Sequence, residues 1–210
     1  MPEKQEKQAF SETRIYPIFF MLIVAIFFGT ILAVFYHSTT ERIREHQELR
    51  LKSAILALFE LPMEDIQESY DQHIKEEETA HLLYYTAHVD NLDLGYCFLI
   101  SGNGLWGGIS ALLAVNTDFT KILGLHILAQ NETPGLGGRI GEESFQNQFT
   151  GKSFVLDDEI IEFRLVPENE PTANREINQI TGATSSSQAV VSMIYRNLQR
   201  IRRLMEVDDE

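Results

Sequence analysis

Residues 96–115 read YCFLISGNGLWGGISALLAV. Two apolar runs, Tyr96–Ser101 and Ile109–Val115, flank the glycine-rich segment Gly102–Gly108, a pattern typical of two strands joined by a turn. Further strand-like runs lie at His81–Val89, Ile122–Ala129 and Phe154–Leu165. Short strands that follow one another so closely along the chain predict a mostly antiparallel sheet.

Two helices are predicted among and after these strands. A short one lies around Glu142–Phe149, and a long one runs from about Ser186 to Met205. The apolar residues of the long helix recur at helical spacing and share one face: Val190, Met193, Ile194, Leu198, Ile201 and Met205. The predicted soluble fold is therefore α+β, with helices packed on the sheet.

The glycine-rich segment could alternatively be a dinucleotide-binding loop. Gly102–Gly107 fits G-x-G-x-x-G, the dinucleotide-binding fingerprint, which requires a helix immediately afterwards and an acidic residue about 20 positions on. The next residues, Gly108–Val115, have the character of a strand. The sequence favours a hairpin turn in which Trp106 is a packing residue.

The N-terminal part contains one candidate membrane span. Tyr16–Tyr36 carries no charge and matches the roughly 20 residues that a helix needs to cross a bilayer. A signal peptide is the alternative, but His37–Thr40 offers no small-residue cleavage site. We predict a tail at 1–15 and a single transmembrane helix at 16–36 in contact with lipid. Basic residues lie on both sides of the span, so charge does not orient it.

The span is expected to lead into the soluble domain through a stalk. Leu51, Ile55 and Leu58 are spaced as on a helix, which Pro62 should stop. Glu64–Thr79 is acidic and is interpreted as a solvated lead-in with at most one helical turn. The predicted organisation is a helical stalk and acidic linker at 37–78, the domain at 79–205 and an acidic tail at 206–210.

Composition excludes several functions. The net charge of −14, from 17 basic and 31 acidic residues, disfavours nucleic acid as a partner. The single cysteine, Cys97, lies in an apolar run and is expected to be buried. The 6 histidines show no metal-ligand spacing, and no G-x-S-x-G motif is present. We therefore predict no metal site and no catalytic acid, base or nucleophile.

Glu132–Gly138, of sequence ETPGLGG, is the second glycine cluster. Its glycines would allow the backbone to approach a ligand closely and to present N–H donors. Taken alone, it could equally be a simple Pro-Gly turn.

Thr181–Thr184, of sequence TGAT, directly precedes the long helix. Ser185 and Gln188 have the S-x-x-Q spacing of a capping box, so Thr184 should lie at or beside the start of that helix. The first turn of a helix offers free N–H groups and a partial positive charge, which suit a phosphate. An ordinary helix cap rich in small hydroxyl residues is the alternative.

Taken in order, these features resemble a known family. The order is the N-terminal span, Gly104–Trp106, Glu132–Gly137, Phe149–Lys152 and Thr181–Thr184. The chain resembles the FMN-binding subunits of two redox-driven ion pumps, the G subunit of the Rnf complex and the C subunit of the Na⁺-translocating NADH:quinone oxidoreductase. Its length favours the Rnf complex. Two positions depart from the family pattern: Asn178 replaces an acidic residue, and Gln130 replaces a histidine.

The resemblance implies one FMN, joined through its phosphate to Thr184 by a flavin transferase that consumes FAD. It places the Thr-Pro-Gly-Leu-Gly loop against the flavin. The residues expected to bind the cofactor are Thr181, Gly182, Ala183, Thr184, Ser185, Glu132, Thr133, Gly135, Leu136 and Gly137.

The implied function is electron transfer within an ion-pumping ferredoxin:NAD oxidoreductase, between a membrane-embedded iron-sulfur donor and a second flavin subunit. The implied location is the bacterial or archaeal cytoplasmic membrane, with the flavin domain on the extracytoplasmic side. Two other classes stay open at this point. One is a flavin reductase that works without a complex, and the other is a binding module in which the glycine loops are only turns.

Overall fold

The computed structural model describes residues 15–79, 82–90, 92–170 and 172–208. The chain separates into two compact units, Met1–Glu48 and Leu49–Glu210. The predicted tail at 1–15 lies outside the described residues except for Ile15. The predicted tail at 206–210 is described only to Asp208, and there it continues the last helix.

The apolar segment lies in one continuous helix, α1 (Ile15–Leu58). Its most apolar stretch is long enough to cross a membrane, and none of that stretch is buried inside the protein. Large side chains such as Phe19, Phe27 and Phe35 are more than half exposed. So much apolar surface is unfavourable in water but is well solvated by lipid. Within the described residues α1 is the one candidate membrane-spanning helix.

The last turns of α1 belong to the second unit, where Ala54, Ile55 and Leu56 are buried. The helix ends at Leu58, and the Leu61 amide donates back to the Leu56 carbonyl at 3.0 Å. The prediction that this helix runs on from the apolar segment and stops before Pro62 is confirmed.

The interpretation of Glu64–Thr79 as a solvated lead-in is wrong. It forms helix α2 (Ile66–His73), capped by the Asp65 side chain, and strand β1 (Ile74–Glu78), which pairs with the next strand. Tyr70 and Ile74 are buried. Ile66 and Tyr70 lie four positions apart on α2 and pack, with Ile74 at the start of β1, in the core, while the acidic Glu68 and Asp71 face water. The folded unit therefore begins well before residue 79.

The centre of the second unit is a five-stranded antiparallel sheet in the order β1-β2-β3-β4-β5. The strands after β1 are β2 (Leu83–Val89), β3 (Leu92–Asn103), β4 (Gly108–Asn116) and β5 (Ile122–Ala129). The strand-like runs at 96–101, 109–115 and 122–129 are confirmed. The start of the run predicted at His81 lies outside the described residues.

The prediction of one strand over Phe154–Leu165 is wrong. The segment contains β6 (Val155–Leu156), β7 (Glu159–Ile160) and the start of β8 (Arg164–Val166). Asp157 and Asp158 both have positive φ, 48° and 65°, and they form the tight turn between β6 and β7. β8 pairs in parallel with β9 (Glu176–Asn178).

Helices cover both faces of the sheet. On one face α4 (Thr184–Asp208) buries Val190, Met193 and Ile194 in a core that includes Phe98 of β3. On the other face Ile55 of α1 and residues of α2 pack with strand residues such as Cys97. The other helices among the described residues are α3 (Glu143–Gln146) and two 3₁₀ helices, Gly137–Gly141 and Asn147–Phe149. The α+β prediction and the burial of Cys97 are confirmed.

Candidate functional site

Three segments that are far apart in the sequence meet around a cavity of about 350 Å³. They are the turn between β3 and β4, the loop after β5 and the first turn of α4. The residues that line the cavity are Leu105, Trp106, Glu132, Thr133, Leu136, Gly137, Gly182, Ala183, Thr184, Ser185 and Ser186. Its size is within the usual range for small-molecule sites, roughly 300–1,000 Å³.

The first segment is a hairpin turn. The Gly104 amide donates to the Gly107 carbonyl at 2.7 Å, and β4 follows directly at Gly108. A strand therefore occupies the place where a dinucleotide-binding fingerprint needs a helix. Trp106 is 72% exposed, so its predicted role as a packing residue is wrong. Together with Leu105 it forms an apolar rim on the cavity.

The second segment is a tight turn that also lines the cavity. Pro134 and Gly135 are its central residues, and Gly135 has a φ of 74°. The Leu136 and Gly138 amides both donate to the Thr133 carbonyl, at 3.1 and 2.9 Å. Proline followed by a glycine with positive φ is the pattern of a type II turn. The turn places Leu136 and Gly137 on the cavity wall.

The third segment is the start of α4, which begins at Thr184, two residues before the predicted start at about Ser186, so Thr184 lies at the N-terminus of the helix. Gly182 has a φ of 78°, and the Ala183 carbonyl accepts from the Ser187 amide at 3.0 Å. Ala183 is therefore the cap, and the amides of the next three residues lie in the first turn without a carbonyl of their own helix. Thr184 and Ser185 are exposed.

The predicted capping box is not the way this helix is capped. The Gln188 side chain donates to Glu162 and Ser192 at 3.1 Å each. The Ser187 hydroxyl instead accepts from the Ile180 amide at 3.0 Å and donates to the Ala183 carbonyl at 3.1 Å. The side chain that fixes the helix start is therefore that of Ser187, two positions after Ser185, and Thr184 and Ser185 line the cavity.

Glu132 joins all three segments. This residue is 5% exposed, and one carboxylate oxygen accepts from the Trp106 amide at 3.0 Å while the other accepts from the Ser186 hydroxyl at 2.5 Å. A Cβ on Gly137 would come within 2.8 Å of the Glu132 carboxylate. Buried carboxylates are stable only when they are hydrogen-bonded, so this bridge fixes the relative positions of the cavity walls.

The cavity brings together most of the predicted cofactor-binding residues. Two of the ten do not line it. Gly135 lies at the tip of the turn, where a Cβ would meet nothing within 4 Å, and Thr181 is turned toward Glu168. The Phe149–Lys152 motif also lies away from the cavity, where the Lys152 ammonium donates to the Ala173 carbonyl at 2.8 Å. Burial lowers the pKa of Lys152.

The sequence did not reveal the carboxylate of Glu168. One of its oxygens accepts from the Thr181 amide at 2.7 Å, and the other is paired with the Arg139 guanidinium at 2.9 Å. Hydrogen bonds from Thr181, together with the Arg139 guanidinium, lower the pKa of Glu168 to about 2. The carboxylate is therefore charged at neutral pH, and it ties the Thr181–Thr184 segment to the 3₁₀ helix that follows the Pro-Gly turn.

The residues of this site match a known domain. Residues 104–199 match the model of the FMN-binding domain family. The match includes the hairpin turn, the Pro-Gly turn and the start of α4, which are the three segments of the cavity wall.

The chain is also similar to subunits of two different ion-translocating complexes. The chain is 28% identical over 179 residues to the G subunit of the ion-translocating oxidoreductase complex of Methanosarcina acetivorans, with 83% of this chain and 87% of the relative covered. It is 29% identical over 142 residues to the C subunit of the Na⁺-translocating NADH-quinone reductase of Vibrio anguillarum, with 58% and 56% covered. The chain thus matches about half the length of the latter and is a homologue of both proteins.

Solved structures agree with this assignment. The crystal structure of the C subunit of Na⁺-translocating NADH-quinone reductase from Parabacteroides distasonis superposes with a TM-score of 0.62 at 25% identity, covering 75% of this chain and 92% of that one. NqrC of Shewanella oneidensis gives a TM-score of 0.66 at 16% identity, covering 72% and 91%, and shows the same fold. Homology to components of ion-translocating complexes, together with α1, indicates a single-pass membrane protein.

Proposed function

We propose that this chain is a membrane-anchored electron carrier that holds one FMN by a phosphoester bond to Thr184. The observation that supports this most directly is the place of Thr184. Its side chain is exposed on the first turn of α4, in the wall of a cavity within an FMN-binding domain.

The residues of the cavity fit the two halves of FMN. The amides of the first turn and the positive end of the α4 dipole suit the phosphate. Leu105, Trp106 and Leu136 are exposed apolar side chains on the rim and suit an aromatic ring system. A polar floor at the helix start and an apolar rim are what a phosphorylated aromatic cofactor requires.

The chemistry that FMN supplies when bound is reversible electron uptake at its ring. The chain supplies position and local charge. Glu132 holds the walls of the cavity together, and the turn contributes Thr133 and Leu136 to the cavity wall. No side chain is assigned the role of catalytic acid, base or nucleophile.

The proposed setting is an ion-translocating ferredoxin:NAD oxidoreductase of the Rnf type, in a bacterial or archaeal cytoplasmic membrane. The relative from Methanosarcina acetivorans matches nearly the whole of both chains, whereas the one from Vibrio anguillarum matches about half of each. The proposed partners are a membrane-embedded iron-sulfur donor, a second flavin subunit and a flavin transferase for maturation. The FMN domain is proposed to lie on the extracytoplasmic side.

The intact mass of the chain tests the attachment. Coexpressed with a flavin transferase, the wild type should gain the mass of one FMN less one water and fluoresce in a denaturing gel. Thr184→Val removes the hydroxyl but nearly preserves shape, so it should fold and lose both signals.

The matched control is Ser185→Ala, which removes the neighbouring exposed hydroxyl. This variant should keep the adduct. An adduct that survives Thr184→Val, or that is lost in Ser185→Ala alone, would place the bond elsewhere. A wild type that stays colourless beside an active transferase would contradict the covalent proposal altogether.

A further inference from the structure

Residues outside the proposed FMN cavity also hold the Thr181–Thr184 segment in place. Glu168 and Arg139 line a separate, smaller cavity of about 170 Å³. Glu168 accepts from the Thr181 amide, and the ion pair with Arg139 connects it to the residues that follow the Pro-Gly turn. One carboxylate therefore fixes two of the three segments that form the proposed FMN site.

The loop that carries Glu168 is itself fixed by Asn178. The Asn178 side-chain amide donates to the carbonyls of Pro167 and Glu170, at 2.8 and 3.0 Å. Its backbone amide donates to the Gln148 side chain at 2.7 Å. A carboxylate at position 178 would have no N–H group with which to bind the two carbonyls. The Asn178 side chain thus fixes the shape of the loop, and the Glu168 carboxylate on that loop binds the Thr181 amide.

We propose that Glu168 is a positioning residue for FMN attachment, holding the Thr181–Gly182 turn so that the Thr184 hydroxyl is presented to the flavin transferase. This inference rests on the proposed function. In the step concerned, the Thr184 Oγ bonds to the FMN phosphorus of FAD, the pyrophosphate P–O bond breaks, AMP leaves and the hydroxyl proton is released.

The geometry separates this role from folding. Thr181 lies immediately before Gly182, whose left-handed backbone starts the approach to the helix. The helix start is fixed independently, because the Ile180 amide binds the Ser187 hydroxyl and Ala183 is the cap. Loss of the Glu168 carboxylate should therefore loosen the turn in front of Thr184 while α4 stays in place.

The test uses the full-length chain in mild detergent, free of flavin, incubated with purified flavin transferase and FAD. The rate at which intact mass increases is compared among variants. Glu168→Ala should slow attachment by about tenfold or more, as expected when a charge-assisted hydrogen bond is lost. Glu168→Gln keeps an acceptor for Thr181 but loses the charge, so its attachment rate should lie between those of the wild type and Glu168→Ala. Glu170→Ala removes an exposed carboxylate of the same loop and should react at the wild-type rate.

Asn178→Asp gives the sharpest comparison. It places an acid three positions before the Thr181–Thr184 segment but removes the two donors that hold the Glu168 loop. We expect slower attachment, with near-ultraviolet circular dichroism unchanged. Faster attachment would show that an acid at 178 is what matters and would overturn the role of Glu168.

Two outcomes separate this inference from the proposed function. If the wild type and Glu168→Ala acquire FMN at the same rate, the role of Glu168 is refuted and attachment at Thr184 stands. If the wild type acquires no FMN, the proposed function itself fails. Should Glu168→Ala not fold, the rate of Glu168→Gln decides, and a wild-type rate in that variant refutes the inference.

Discussion

Replacing Gly137 by alanine should destabilise the domain by pushing apart two groups that hold the cavity walls. A Cβ built on Gly137 would lie 2.8 Å from a Glu132 carboxylate oxygen and 3.0 Å from the Glu132 Cβ, and even closer to the Ser186 hydroxyl. Those are the two side chains joined by the 2.5 Å hydrogen bond at the start of α4. Both are buried, so neither can move into solvent.

The size of the effect follows from two terms. Overpacking of a close-packed region costs about 1–3 kcal/mol. Separating Glu132 from Ser186 costs a further ~1–3 kcal/mol, because a buried carboxylate oxygen loses that donor. We expect a total loss of about 2–6 kcal/mol, which for a unit of this size corresponds to a fall in Tm of roughly 4–24 °C.

The assay is thermal unfolding of the full-length, flavin-free chain in mild detergent, followed by near-ultraviolet circular dichroism. Gly141→Ala is the reference, since a Cβ there meets nothing within 4 Å and the change should lie within about 0.5 kcal/mol of wild type. The double variant Gly137→Ala/Ser186→Ala removes the nearest clashing atom. It should be more stable than the sum of the single changes predicts. Equal unfolding temperatures for Gly137→Ala and Gly141→Ala would refute the reasoning.

Two further predictions concern charge and location. Hydrogen bonds from Thr181 and the Arg139 guanidinium lower the pKa of Glu168 from 4.5 to about 2, so its stabilising effect is complete above about pH 4.5 and is lost as the pH falls through about 2. The difference in unfolding free energy between wild type and Glu168→Gln, measured by urea titration, should therefore be constant from pH 5 to 7 and shrink below pH 4; a difference that grows in acid would contradict it. For location, Arg200→Cys on the exposed side of α4 should react with a membrane-impermeant maleimide in whole cells, while the buried Cys97 of the wild type stays unlabelled. Reaction only after lysis would place the domain in the cytoplasm.

Periodic apolar patterns made much of this fold predictable. The run at Ile122–Ala129 matches β5 residue for residue, and small and hydroxyl residues placed before an apolar stripe predict the start of α4 to within two residues of Thr184. The acidic segment at Glu64–Thr79 was missed because its charges outnumber the three apolar residues that direct its folding. The segment predicted as one strand at Phe154–Leu165 is interrupted at Asp157 and Asp158, whose backbone is in the left-handed region. The hairpin that these two residues close sets this conformation, and the sequence pattern does not reveal it.

The cavity was predictable in part, for a physical reason. Glycine and small hydroxyl residues single out the Thr133–Gly137 and Gly182–Ser185 segments as candidates, and the resemblance to a known family, not the pattern alone, implies that they bind the cofactor. Side-chain bridges between distant loops leave no such pattern. Glu168 lies 13 positions from Thr181, and Ser186 lies 54 positions from Glu132, so neither contact has a sequence signature.

The proposed attachment of FMN to Thr184, at the head of a core-packed helix, also bears on how strongly the rest of the cofactor would have to be held. A tether on a fixed wall turns the binding of the ring into an intramolecular event, at an effective concentration of the order of millimolar or above. With the proposed tether, very weak contacts would suffice to fill the site, and a rim as exposed as Trp106, at 72%, fits that expectation. A site that relied on affinity alone would have to enclose its ligand. Under the proposed attachment, this site would be able to leave an edge of the ring uncovered for the next electron acceptor.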